Sequence, residues 1–238
     1  MKQYIGISRD HSLSMKRMVE SARKDFNSNI QSIQYETNKH GIDTIISVVE
    51  CGVGIGTVEK VITNSSISTL KPISVGGYIA SGRSTPLYDS VGALIEQLEN
   101  VPDKDSQDVS FLIMIITDGE ENSSKIWSAR KLSEKIKQLE ATDRWTFTFR
   151  VPKGYARSLV RDLNLFDGNV LEWDLSDKGV ERSTIQTQSG ISNYYTNRTK
   201  GISRSTSFYA DMSNVTSGQV KANLVDISDR VVSYGVIS

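Results

Sequence analysis

The sequence predicts an α/β domain built on a doubly wound, mostly parallel, six-stranded sheet with one antiparallel edge strand, followed by a C-terminal extension. Three observations predict it. Short apolar or β-branched runs alternate with longer segments of helical periodicity, the pattern of βαβ units. One run, Val109-Ser110-Phe111-Leu112-Ile113-Met114-Ile115-Ile116, is almost unbroken in its apolarity, as a strand covered on both faces must be. A chain of 238 residues is also long enough for one such domain plus an appendage, with a core that needs no disulfide framework.

A short apolar strand opens the chain and runs out through Gly6-Ile7-Ser8-Arg9-Asp10. Met15, Met18, Val19, Ala22, Phe26, Ile30 and Ile33 then recur at helical spacing, so residues 14–38 read as one long amphipathic helix whose methionines are core packing. Gly41 stops it, and the β-branched stretch from Ile42 to Cys51 reads as a strand. Gly52-Val53-Gly54-Ile55-Gly56 lacks the Lys-Ser or Lys-Thr and the following helix of a phosphate cradle; it reads as a hairpin turn into an antiparallel edge strand from Thr57 to Thr63. Residues 65–84 are mostly loop. Leu87, Val91, Leu94, Ile95 and Leu98 mark a helix with Pro86 in its first turn. After the buried strand, Ile126, Ala129, Leu132, Ile136 and Leu139 mark another helix, and Trp145-Thr146-Phe147-Thr148-Phe149 alternates as a strand. A helix from Tyr155 to Leu165, a strand from Asn169 to Trp173 and a helix from Ser176 to about Gln188 complete a first domain, residues 1–189.

Beyond it the composition shifts to Ser, Thr, Asn and Gln, and residues 190–204 read as a polar linker. Residues 205–238 recover strand and helix signals at Thr206–Ala210, after Thr216 or Ser217, and at Val231–Ile237. They are too few for a core of their own, so they are expected to pack on the first domain or to begin a second domain or assembly arm, including a homo-oligomeric one.

Lys plus Arg equals Asp plus Glu at 28 each, which leaves no global field to draw the chain to nucleic acid or an anionic membrane. No apolar run approaches membrane-spanning length, and Met1-Lys2-Gln3 leads directly into strand residues without room for a signal peptide's apolar segment. The single cysteine, Cys51, lies in an apolar strand pattern and reads as a small core residue of a reducing compartment. Together these features lead to the expectation of a cytoplasmic protein.

The chemistry-bearing residues gather at strand ends. Asp10-x-Ser12-x-Ser14 places one carboxylate and two hydroxyls at the carboxyl end of the first strand. The buried strand ends in Thr117-Asp118-Gly119, a second carboxylate in the same kind of place, and Gly82-Arg83-Ser84-Thr85-Pro86-Leu87-Tyr88-Asp89 delivers a third hydroxyl, Thr85, just before a helix. In open α/β sheets ligands sit outside the strands' carboxyl ends where strand order reverses; for the order 3-2-1-4-5-6 that point lies between the strands carrying Asp10 and Asp118. Carboxylates and hydroxyls are the hard oxygen donors that Mg²⁺ takes. Asp89 reads equally as support for such a site or as a dipole-favoured first-turn acid, and Glu120-Glu121 as a solvated rim.

Asp-x-Ser-x-Ser, then Gly-x-x-Thr-Pro-Leu-x-Asp, then an apolar strand ending Thr-Asp-Gly resembles, in order and spacing, the metal-ion-dependent adhesion site of a von Willebrand factor type A domain, over residues 2–175. The resemblance implies a Rossmann-like sheet and Mg²⁺, or else Mn²⁺ or Ca²⁺, coordinated by Ser12, Ser14 and Thr85, with Asp10 and Asp118 holding it directly or through water. It also implies a coordination position left for an Asp or Glu of a partner protein, and hence a binding module with no catalytic residues. Two readings compete. A haloacid-dehalogenase-like phosphohydrolase also places an Asp nucleophile and Mg²⁺ at a first strand's end, but it needs a second Asp as general acid where this chain has Ser12. A structural subunit without a metal requirement is the other. Nucleophilic triads are disfavoured, because only His11 and His40 are available and no Gly-x-Ser-x-Gly elbow occurs.

Overall fold

The computed structural model describes residues 1–209. Six strands form one sheet: β1 (Lys2–Asp10), β2 (Asp43–Val53), β3 (Thr57–Ser66), β4 (Val109–Ile116), β5 (Trp145–Pro152) and β6 (Val170–Trp173). Their spatial order is β3-β2-β1-β4-β5-β6, parallel throughout except for β3, which pairs antiparallel with β2 at one edge. This is the doubly wound order expected from the sequence, with its reversal between β1 and β4.

Side chains of β4 alternate between two apolar layers. Phe111, Ile113 and Ile115 join the layer under α2 (Leu87–Glu99), α3 (Ala129–Glu140) and α4 (Ala156–Leu163). Leu112 and Met114 join the opposite layer, under α1 (Val19–His40) and α5 (Asp177–Thr199). Period-2 alternation thus underlies a run that reads as uniformly apolar, because both faces are covered. Every residue of β5 is buried, for the same reason.

Several boundaries differ from expectation. The first helix does not begin at residue 14: Leu13–Met18 is a 3-10 segment, and α1 starts at Val19 and ends where Gly41 adopts φ +62° in a left-handed cap. The helix after β4 begins at Ala129, and Ile126 is exposed on the preceding loop. The largest correction concerns the polar linker. Residues 190–199 are the last turns of α5, which lies alongside α1 and buries Ile191, Tyr194 and Tyr195. Polar composition was misleading there because the buried polar side chains are matched: the Tyr195 hydroxyl lies 2.8 Å from Thr37 Oγ1 and 3.0 Å from Thr44 Oγ1, and Arg198 Nη2 donates to the Asp108 carbonyl at 2.9 Å. Of the extension, Phe208 and Tyr209 close the same apolar layer, so the first domain does not end at residue 189. The helix and strand expected beyond Thr216 lie outside the described residues. Among the described residues no helix is long and apolar enough to cross a membrane.

A buried ion pair ties the α1–α5 layer to the sheet. Arg150 on β5 donates to Asp25 on α1 through both terminal nitrogens, at 2.9 and 2.5 Å, and Thr184 of α5 donates to the same carboxylate at 2.6 Å. Such a fork-to-carboxylate pair fixes geometry as well as charge.

Candidate metal centre

β1 ends at Asp10 and β4 at Ile116, on adjacent parallel strands, so Asp10 and Asp118 leave the same sheet edge side by side. Asp10 is buried and held: Ser12 N donates to its Oδ1 at 2.8 Å and Thr117 Oγ1 to its Oδ2 at 2.6 Å, while Tyr78 donates its hydroxyl to the Asp10 carbonyl. Asp118 accepts from Ser14 Oγ at 2.9 Å and from Ser12 Oγ at 3.3 Å, both at Oδ1, and the two hydroxyl oxygens lie 2.9 Å apart. Asp118 Oδ2 is buried and has no hydrogen-bond partner among the described residues. Burial, reinforced by the neighbouring Asp10 charge, pushes the Asp118 carboxyl up to about 7, against the pull of the Ser14 and Ser12 hydroxyls.

Thr85 reaches this cluster by a loop threaded over the edge. Ser12 and Gly82 form a parallel bridge; Leu13 N donates to the Gly82 carbonyl at 2.7 Å, and Gly82 N to the His11 carbonyl at 3.1 Å. Only glycine fits there, since a Cβ on Gly82 would fall 1.3 Å from the Gly52 carbonyl oxygen at the end of β2. Three residues on, Thr85 is buried and clamped by Asn122, which accepts from Thr85 N at 2.8 Å and donates its own N–H to the Thr85 carbonyl at 3.2 Å. A Cβ on Gly119 would lie 3.4 Å from Thr85 Oγ1, which puts that hydroxyl against the backbone next to Asp118.

All five residues singled out in the sequence therefore meet at one edge: Asp10, Ser12, Ser14 and Asp118 in one hydrogen-bonded cluster, with Thr85 beside it. Ser14 is the solvent-facing member. Two carboxylates and three hydroxyls make an all-oxygen donor set, and the bare Asp118 Oδ2 is an acceptor in want of a cation, so the residues fit a hard divalent ion. No three His, Cys, Asp or Glu side chains converge among the described residues, and the hydroxyls are what complete the set.

The nearby acidic residues have other tasks. Asp89 accepts from the backbone N–H groups of Lys125, Ile126 and Trp127 and pins the loop before α3. Glu121 accepts from Tyr88 N, Ser123 N, Ser124 N and Ser124 Oγ, so both its oxygens are spent on structure. Glu120 is exposed. His11 is buried with Nδ1 2.6 Å from the Ile79 carbonyl, and it positions the loop that carries Thr85. Thr117, Asn122 and Tyr78 were not singled out in the sequence. Thr117 had a signal in its place directly before Asp118, whereas Asn122 and Tyr78 act through contacts that only the folded chain reveals.

No family model matches the sequence, and no curated protein sequence matches it. Solved structures do. The chain is similar to proximal thread matrix protein 1 from the mussel byssus, with TM-score 0.53 and 14% identity over 79% of this chain and 46% of that one. This chain thus spans about half of that protein's length. It is similar to the SpRpn10 VWA domain, with TM-score 0.51 and 11% identity over 78% of this chain and 94% of that one. It is similar, too, to the pilus adhesin SpaC from Lactobacillus rhamnosus GG in its open conformation, with TM-score 0.55 and 10% identity over 84% of this chain and 30% of that one. At such identities likeness speaks to architecture, and the architecture of residues 1–209 is a von Willebrand factor type A-like α/β fold.

Proposed function

We propose that this chain is a metal-dependent protein-binding module and not an enzyme. Asp10, Ser12, Ser14, Thr85 and Asp118 hold Mg²⁺, and an Asp or Glu of a partner protein completes its coordination. A divalent ion bound there supplies a hard Lewis-acid position that favours a carboxylate, because three of its five protein donors are neutral hydroxyls. The chain's own residues orient the donors: Thr117 and the Ser12 amide fix Asp10, the loop through Gly82 and Asn122 brings in Thr85, and Ser14 lies where solvent and a partner have access.

The observation that carries this reading is the Asp118 carboxylate, buried beside Asp10 with Oδ2 unpartnered. Two acidic groups in that setting are costly unless a cation sits between them. A protein partner is favoured over a small molecule by the surroundings. Leu13, Ile55, Ile79, Ile126 and Leu175 are all exposed, Leu13 at the start of the 3-10 segment after β1 and the others on turns and loops that leave or border the carboxyl edge of the sheet. Apolar side chains around a polar centre are the composition of a docking face. The phosphohydrolase alternative finds no support at the same edge, because the position for its general acid is Ser12, a hydroxyl bonded to Ser14 and Asp118.

Calorimetric titration of the chelator-treated chain with Mg²⁺ and Mn²⁺ tests the first half, and partner capture with and without chelator tests the second. Saturable binding that Asp118→Ala abolishes in a folded protein is expected. Equal capture in chelator would overturn the metal-bridged mechanism, and sustained phosphomonoester turnover lost in Asp10→Asn would favour the phosphohydrolase.

A further inference from the structure

A cavity of about 340 Å³ opens one residue beyond Asp118, between the start of α2, the Gly119–Glu121 segment, the end of β5 and α4. Its deep side is apolar: Leu87, Val151 and Leu159 are all buried. Tyr88 and Tyr155 line it half-buried, and Glu120, Glu121 and Asp162 carry its charge, with Glu120 and Asp162 exposed. Among the described residues, no Lys, Arg or His lines it. The charge of Glu121 is fixed by its four donors, three of them backbone N–H groups, and cannot turn away. Beside the cavity Asp162 pairs, among the described residues, only with the exposed Arg161, at 2.9 Å.

This combination does not suit the partner's carboxylate, which the three acids would repel. An apolar base for an alkyl stem, two phenol rings and carboxylates at the opening suit a long cationic side chain, which buries its methylenes and keeps its charge among aromatic faces and anions. The metal cluster is next door: Gly119 borders both the cavity and Thr85. The geometry points to a second subsite of the same docking face, one that takes a Lys or Arg of the partner close in sequence to the Asp or Glu that reaches the metal. The inference rests on the metal-bridged reading and adds the partner's chemistry to it: an acidic residue with a basic neighbour.

A random peptide library displayed on phage, selected on the full chain in Mg²⁺ and again in chelator, separates the two readings. Enrichment of an acidic residue that depends on Mg²⁺, with Lys or Arg within a few positions, is the expected result. Synthetic peptides from that pool should lose about tenfold in affinity when the basic residue is replaced by Gln, the order of a partly desolvated cation–π contact. The loss should shrink on the Glu120→Gln/Asp162→Asn variant, which removes the two exposed anions and leaves the phenol rings and Glu121 in place, as a double-mutant cycle reads. Selection of Mg²⁺-dependent acidic peptides with no basic neighbour, or a tenfold loss that persists on the variant, overturns the subsite and leaves the metal-bridged reading standing. Selection with no Mg²⁺-dependent acidic residue overturns both.

Discussion

Replacing Asp118 by Asn should reverse sign between chelator and Mg²⁺. In the metal-free chain Asp118 moves from its ordinary 3.8 to about 7 because it is buried beside the Asp10 charge. At about 1.36 kcal/mol per decade of proton affinity this is worth roughly 4 kcal/mol between the ionised and neutral forms, and screening at the solvent-facing Ser14 side reduces it to about 2. The Asn side chain keeps an oxygen to accept from Ser12 and Ser14, and it puts an N–H donor where Oδ2 now has no partner. Near neutral pH, then, the variant in chelator should be about 2 kcal/mol more stable than the wild type, a rise of roughly 4–8 °C in Tm for a chain of this size. Saturating Mg²⁺ at about a hundred times Kd should give the wild type roughly 2.7 kcal/mol and the variant far less, so their order inverts. The pH dependence has a defined sign. A carboxyl whose folded-state value is raised contributes stability below 3.8 that is lost as pH climbs to about 7, so the metal-free wild type weakens over that window. Metal binding needs the ionised form, and the Mg²⁺-induced shift should therefore grow over the same range. Thermal denaturation in chelator and in Mg²⁺ at several pH values reads all of this. A variant no more stable than wild type in chelator, or one that responds to Mg²⁺ as the wild type does, would refute the reasoning.

Other perturbations follow from the buried network and the last helix. Asp25→Ala leaves Arg150 charged and buried and should cost about 3–5 kcal/mol by urea denaturation, whereas Asp25→Leu with Arg150→Met should recover most of the loss. Glu140, pushed up to about 7 by burial with Oε1 unpartnered, contributes stability below 4.5 that is lost as pH rises to about 7. Glu140→Gln should accordingly stabilise by about 1–2 kcal/mol above pH 7 and by nothing at pH 4, read from urea midpoints at the two values. Truncation after residue 189 removes Ile191, Tyr194, Tyr195, Phe208 and Tyr209 from one apolar layer. At about 1.5–3 kcal/mol per buried side chain that loss matches a domain's whole stability, so the shortened chain should be unfolded by circular dichroism, while one ending at Tyr209 should keep its fold and its Mg²⁺ titration.

The strands, their order and the clustering of Asp10, Ser12, Ser14, Thr85 and Asp118 at one edge were legible because each depends on short-range signals. An apolar run fixes a strand, its carboxyl end fixes where the next polar residues emerge, and the doubly wound connection brings two such ends together. The last turns of α5 were not legible. Their buried face includes Gly190, where a Cβ would lie 2.4 Å from the Phe208 ring, and Arg198, whose terminal nitrogens donate to the Asp108 carbonyl and to Ser203 Oγ. Ile191, Tyr194 and Tyr195 do recur at helical spacing, but Ser, Thr, Asn and Gln surround them, so composition alone reads the segment as solvated.

Asp25 and Asp118 show the same limit at the level of one residue type. Both are buried aspartates on elements that meet at the sheet's carboxyl edge, and nothing in the residues immediately around Asp25 announces that its partner lies 125 positions away. In the folded chain their hydrogen bonding separates them. Asp25 accepts from Asn29, Arg150 and Thr184, its charge is matched by a guanidinium, and both oxygens are engaged, so it holds three elements together and has nothing left to offer a ligand. Asp118 accepts from two hydroxyls at one oxygen, faces a second carboxylate, and keeps the other oxygen bare. A buried charge with its counter-charge inside the fold is structural; one whose neighbour carries the same sign is relieved by taking up a proton or by a counter-charge from outside. By that criterion Asp118 and Asp10 are the pair whose charge the proposed cation would neutralise, and Asp25 is part of the frame that holds them there.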